Sequence, residues 1–161
     1  MYRRAFLFAS SAAVTLGAMV RPGAATSLAE GPFEITRTDA EWRNLLSDAE
    51  YAILRGAETE RAYTSPLNDE NRAGNFLCGG CDLPVYAAEH KFDSGTGWPS
   101  FTQALPNAIG TMEDRSSIFQ VRTECHCRRC GSHLGHVFDD GPAPTGMRHC
   151  INGLALNFRP A

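Results

Sequence analysis

The chain has 161 residues, with 15 Lys and Arg against 18 Asp and Glu, for a formal charge of −3. That length suits one domain with a buried core. The mildly acidic balance argues against nucleic acid or an anionic membrane as the main partner, and past the N-terminus no apolar run is long enough to span a bilayer.

Residues 1–25 read as a targeting segment. Arg3 and Arg4 precede Ala5-Phe6-Leu7-Phe8 and an apolar, small-residue stretch to Val20, and Gly23-Ala24-Ala25 offers the small side chains that signal peptidase requires. Paired arginines ahead of such a run fit a bacterial twin-arginine export signal; an ordinary signal peptide with two basic residues is the alternative. Cleavage would remove Arg3, Arg4 and Arg21, leaving 12 basic and 18 acidic residues, a charge of −6. The expected location is periplasmic or otherwise exported, and cytoplasmic if the signal reading fails. Residues 26–35 form a lead-in, and 36–161 the folded domain.

Thr38-Asp39-Ala40-Glu41 has the spacing of a capping box and is followed by Trp42, Leu45 and Leu46 on one helical stripe. Ser47-Asp48-Ala49-Glu50 repeats the box ahead of Tyr51, Ile53 and Leu54, with Gly56 as the expected stop. Two short helices packed over a sheet are expected, then a polar, turn-rich stretch over 57–75. From Phe76 onward the pattern changes to short strands, at 83–86, 118–122, 136–138, 147–152 and 154–158. The last alternates, with Leu154, Leu156 and Phe158 on one face.

Two of the turns in this region are CxxC elements, Cys78-Gly79-Gly80-Cys81 and Cys127-Arg128-Arg129-Cys130. Each lets a tight turn present two sulfurs to one metal, and together they complete a closed tetrahedral zinc site that leaves no open coordination position. The pairs are too far apart in sequence for an autonomous finger, so the site would tie two hairpins together. Two other readings compete: a disulfide within each pair in an oxidising compartment, or a thioredoxin-like redox pair. Neither CxxC opens an amphipathic helix in a βαβ pattern, which counts against the second.

Cys150 belongs to neither pair. If 147–152 is a strand, Arg148, Cys150 and Asn152 share a face while His149 and Ile151 point the other way. A guanidinium beside a thiol favours the thiolate; a buried, inert cysteine is the competing reading. His133-Leu134-Gly135-His136 adds two imidazoles fit to pass a proton near neutral pH. Gly95-Thr96-Gly97-Trp98-Pro99-Ser100-Phe101 joins backbone freedom to a large aromatic able to wall a pocket. A zinc-stapled β domain that only binds a ligand would not need Cys150 between Arg148 and Asn152.

These strings resemble the type B methionine sulfoxide reductases, specific for the R epimer. The resemblance runs from about Trp42 to Phe158 and is strongest over 91–101, 131–142 and 144–152. It implies a mainly β fold of two antiparallel sheets, zinc-stapled, with short N-terminal helices. It implies Cys150 as nucleophile, His133, His136, Arg148 and Asn152 at active-site positions, Trp98 as the aromatic receiving the substrate methyl, and Cys78, Cys81, Cys127 and Cys130 as structural zinc ligands. The implied reaction is reduction of methionine R-sulfoxide in proteins through a sulfenic acid on Cys150, with one of His133 and His136 delivering the proton. The partners are oxidised proteins or peptides and a thioredoxin-like or other thiol reductant; a monomer with no nucleic-acid partner is expected.

Three positions depart from the family pattern. Thr96 stands where many relatives carry a resolving cysteine. Cys125 stands where the family usually has an apolar residue, and is the remaining thiol able to resolve the sulfenic acid. Direct reduction by an external thiol is the rival and preferred route. His149 replaces the usual tyrosine, and strand alternation turns it away from Cys150.

Overall fold

The computed structural model describes residues 29–116 and 120–161. The segment 1–25 read as an export signal lies outside the described residues, as do 118 and 119 of the strand expected at 118–122.

Helices α1 (Asp39–Leu45) and α2 (Asp48–Gly56) each open on a complete capping box, Thr38 with Glu41 and Ser47 with Glu50. In each, side chains and backbone reciprocally satisfy donors that the helix end leaves open. Trp42, Leu46, Ile53 and Leu54 are buried, but Leu45 is 53 % exposed and does not belong to the expected stripe. The chain leaves helical geometry after Leu45, so it is the extended backbone of Leu46 that turns the next leucine inward. The stop of α2 also differs: Gly56 remains helical and Ala57 takes the left-handed C-cap at φ 51°. The guanidinium groups of Arg37 and Arg55 each lie 4.9 Å from the centroid of the Trp42 ring.

Nine strands follow among the described residues: β1 (Gly74–Cys78), β2 (Pro84–Ala87), β3 (Lys91–Phe92), β4 (Ser100–Phe101), β5 (Ile109–Asp114), β6 (Arg122–Cys127), β7 (His133–Phe138), β8 (Arg148–Ile151) and β9 (Leu156–Pro160). They form two antiparallel sheets, a three-stranded one ordered β2-β1-β9 and a six-stranded one ordered β3-β4-β8-β7-β6-β5. The fold is therefore mainly β with two short helices ahead of the sheets.

Several strand expectations shift. Of the described residues in the segment expected at 118–122, 120 and 121 are not strand and Arg122 begins β6, which runs through the first cysteine of the second CxxC. Leu154 is not in β9; it lies in a 3₁₀ turn, Gly153–Ala155, and is 40 % exposed. β1 was not expected because its last three residues, Phe76, Leu77 and Cys78, are all buried, which removes the alternation that marks a half-exposed strand.

The core lies between the sheets and is built on aromatics. Tyr86 of β2 stacks on Phe101 of β4 at 4.3 Å between centroids, and Phe76 of β1 meets Phe101 edge-on at 5.0 Å. Ile151 of β8 and Cys125 of β6 complete this face of the larger sheet.

Candidate active site and metal centre

Ladder register sorts the six-stranded sheet into two faces. Ser100 opposes Cys150, Cys150 opposes His136, His136 opposes Glu124, and Glu124 opposes Met112. Residues opposed across antiparallel strands project to the same side. Cys150, His136 and Glu124 therefore stand in one row, away from the aromatic core. The alternating positions, Phe101 with His149 and Ile151 with Gly135 and Cys125, form rows on the core side.

One irregularity brings the second imidazole into this face. Cys125 pairs with Gly135 but His126 pairs with His133, so Leu134 is an extra residue in β7. In a regular strand, residues three apart face opposite sides; the bulge restores His133 to the side of His136. Their rings meet edge-on at 5.4 Å.

Each histidine is held by a buried carboxylate that sequence reasoning missed. Asp114 of β5 accepts from His136 Nε2 at 2.8 Å and from Arg122 Nη2 at 2.7 Å. Glu124 accepts from His133 Nδ1 at 2.8 Å and from His126 Nδ1 at 3.2 Å. A carboxylate only accepts, so these bonds place protons on His136 Nε2 and His133 Nδ1 and leave the opposite nitrogens as acceptors. Burial lowers the His136 pKa despite the opposing bond to Asp114, so the ring is neutral near pH 7. Burial alone would raise Asp114; hydrogen bonds from Ser116, His136 and Arg122 instead hold it well below the usual carboxylate range. Glu124 follows the same pattern, with His126 and His133 overcoming its burial.

A cavity of about 130 Å³ opens on this face, with Cys150, His136 and Asn152 on its wall and Trp98 and Phe138 as its aromatic sides. It has room for roughly four waters at liquid density, the size of a small polar group rather than a whole cofactor. Trp98 is locked by a bond from Nε1 to Glu60 O at 3.1 Å. The Glu60 carboxylate accepts from the Gly153 and Leu154 N–H groups, pinning this loop beneath the turn after β8.

The sequence-expected residues divide between cavity and support. His136 lines the cavity, whereas His133 is 1 % exposed and its Nε2 has no hydrogen-bond partner among the described residues. Asn152 lines the cavity while its amide Oδ1 accepts from Glu60 N at 3.0 Å and its Nδ2 donates to Leu134 O at 3.2 Å; one amide proton remains for a ligand. Arg148 makes a two-point pair with Asp140, both at 2.8 Å, and lies 4.4 Å from the Phe138 ring. Burial pushes the Cys150 thiol up, and Thr96 and Arg148 offset part of that rise.

Cys125 is not brought to Cys150. It lies on the core face, two strands away, which puts their Cα atoms roughly 10 Å apart, beyond the reach of a disulfide. It is 0 % exposed, contacts Tyr86 Oη at 3.8 Å, and burial pushes its thiol up to about 12. His149 joins it there, with Nδ1 3.2 Å from the same hydroxyl.

The four CxxC cysteines converge elsewhere. Cys78 ends β1 and Cys127 ends β6, so the cluster bridges the two sheets. Their Sγ atoms all lie within 4.8 Å of one another, with Cys78···Cys130 at 3.7 Å and Cys81···Cys127 at 3.5 Å. A tetrahedron with 2.3 Å metal–sulfur bonds has edges of about 3.8 Å, so the sulfurs fit one metal ion. Both of these contacts run between the two CxxC elements, and all six cysteines are free, contrary to a disulfide within each pair. Gly131, at φ 68°, makes the second turn, its N–H returning to Cys127 O at 2.9 Å.

Fold and site define a class: a mainly β protein with four cysteines placed to hold one metal ion and one unligated thiol set opposite an imidazole on the wall of a small cavity. The SelR domain matches residues 46–160, and the chain belongs to that family, the type B methionine sulfoxide reductases. The peptide methionine sulfoxide reductase MsrB of Thiobacillus denitrificans is 51 % identical over 125 residues, covering 77 % of this chain and 94 % of that protein. Its counterpart in Leifsonia xyli is 45 % identical over 133 residues, covering 81 % and 95 %, and that in Hahella chejuensis is 44 % identical over 128 residues, covering 80 % and 92 %.

Proposed function

We propose that this chain reduces the R epimer of methionine sulfoxide in oxidised proteins and peptides, with Cys150 as nucleophile and His136 as the group that moves the proton. The observation that carries this reading is the register pair of Cys150 and His136 on the wall of a small cavity with aromatic sides. Neutral His136 takes the thiol proton at Nδ1, the nitrogen left free by Asp114. The thiolate attacks the electrophilic sulfoxide sulfur, and the imidazolium returns the proton to the sulfoxide oxygen. The protonated oxygen then passes from substrate sulfur to Cys150 sulfur as the sulfur–sulfur bond made by the attack breaks, releasing methionine and leaving Cys150 as a sulfenic acid; substrate sulfur gains two electrons and Cys150 sulfur loses two. Trp98 and Phe138 receive the S-methyl group, so that only one epimer turns its oxygen toward His136. Arg148 favours the thiolate, Asn152 holds the turn after β8, and His133, oriented by Glu124, backs His136.

The sulfenic acid is reduced from outside. One thiol displaces water to form a mixed disulfide, and a second releases Cys150, so a thioredoxin-like or other external thiol is the reductant. The Cys125 position supports this over an internal bridge. We further propose that the ion held by Cys78, Cys81, Cys127 and Cys130 is zinc, as four thiolates in tetrahedral array favour, and that it is structural. For residues 1–25, Arg3-Arg4 and the apolar stretch support twin-arginine export to the periplasm; replacing both arginines with lysine should block it.

Turnover on separated R and S epimers with dithiothreitol tests the central reading. The wild type should consume R alone and Cys150→Ser neither; activity retained by Cys150→Ser would overturn it.

A further inference from the structure

Three hydroxyls stand behind the reactive sulfur on the β4 side, none of them on the cavity wall. Thr96 Oγ1 is 3.9 Å from Cys150 Sγ. Ser94 Oγ is 2.8 Å from Thr96 Oγ1 and 2.8 Å from Ser100 Oγ. Ser100, fully buried and opposite Cys150 in the ladder, donates to Trp98 O at 3.2 Å. The Thr96 N–H also donates to Ser94 Oγ at 3.4 Å, tying the run to the backbone of its own turn.

The two ends of this chain fix its direction. The Trp98 carbonyl only accepts. With Cys150 protonated, hydrogen bonds run from sulfur to Thr96, to Ser94, to Ser100 and to that carbonyl. Loss of the thiol proton makes the sulfur an acceptor. All three hydroxyls then rotate, Ser100 turning from the Trp98 carbonyl to donate to Ser94, Ser94 to Thr96 and Thr96 to sulfur, while Ser94 oxygen also accepts the Thr96 N–H. No heavy atom has to move. Burial leaves the thiolate short of water, so a neutral donor that turns toward it is worth more here than at the surface.

We propose that Thr96 is a positioning residue for the nucleophile, its hydroxyl oriented by Ser94 and Ser100 to donate to the Cys150 sulfur once that sulfur ionises. This rests on the reading of Cys150 as the nucleophile. The charged and titratable groups facing the sulfur are Arg148 on its own strand, Asp140 behind Arg148, His136 from β7 and Arg122 from β6 across the cavity. Removing one hydroxyl oxygen changes none of their charges.

The test is the pH profile of Cys150 alkylation by iodoacetamide in the metal-loaded protein, followed by peptide mass spectrometry. Thr96→Val should alkylate about fivefold more slowly at pH 7, the worth of one ordinary hydrogen bond, with its midpoint moved to higher pH. Thr96→Ser should restore the wild-type profile, and Ser94→Ala should shift it the same way by less. A Thr96→Val profile that superimposes on wild type overturns the proposal, as does failure of Thr96→Ser to restore it. Alkylation needs no sulfoxide, so this result stands apart from the nucleophile assignment, which falls only if Cys150→Ser keeps turnover.

Discussion

Cys150 and Cys125 lie two strands apart in one sheet, yet their chemistry has little in common. On one face a half-buried thiol meets an imidazole, a guanidinium and a hydroxyl beside a cavity; on the other a fully buried thiol meets a tyrosine and aromatic rings. The side of the ladder, rather than residue type or position in the chain, separates a thiol on a cavity wall from a thiol packed in the core. The same division sorts the histidines, since His136 faces Cys150 while His149 is consigned to the core side.

The comparison breaks most sharply on the cysteines themselves. Cys150→Ser should reduce dithiothreitol-dependent turnover to background without loss of bound metal. Cys125→Ser should keep turnover within about twofold of wild type while costing about 1–3 kcal/mol, because it buries a hydroxyl where an apolar thiol packed; thermal melts and steady-state assays measure both. A Cys125 variant that turns over once and stalls with Cys150 oxidised would erase the distinction.

Next in size is the staple between the sheets. Removing the metal with a chelator, or Cys127→Ser, should lower the melting temperature by about 10 °C or more, since structural sites of this kind contribute several kcal/mol to folding. Asp114→Asn sharpens the contrast within the polar face. It should reduce kcat/KM by about 10²-fold, and because the Asp114 bond raises His136 against its burial, the acid limb of the pH–rate profile should move to lower pH. The smallest effect concerns acid stability. Asp114 and Glu124 are both held below their ordinary values, so the stability they contribute is present above about pH 4 and is lost as pH falls through those depressed values. Urea midpoints between pH 6 and pH 2 should fall accordingly, and Asp114→Asn should flatten the slope.

The sequence is legible where the physics is local. Capping boxes fix both helix starts through contacts three residues apart, and each CxxC turn is set by its own backbone. Strand alternation in 147–152 already separated Cys150 from His149. What required the fold was register. Neither Asp114 nor Glu124 lies near His136 or His133 in sequence; each meets its imidazole only across a ladder. β5, an edge strand reading Ile-Gly-Thr-Met-Glu-Asp, carries too little apolar alternation to announce itself. Leu45 and Leu154 mislead for the opposite reason, as apolar residues whose period runs across an element boundary, Leu45 ending α1 and Leu154 lying in the turn before β9.

The extra residue at Leu134 has a consequence for how this chain tolerates change in length. Deleting Leu134 itself would leave His133 opposite His126, but deleting a residue ahead of the bulge, such as Ser132, would draw His133 one position along the ladder and let β6 and β7 zip together without interruption. That tidier sheet would swing one imidazole round into the company of Tyr86 and Phe76 and strand the Glu124 carboxylate with a single partner. A shortened variant of this hairpin is therefore expected to fold and to carry its metal, yet to be chemically silent.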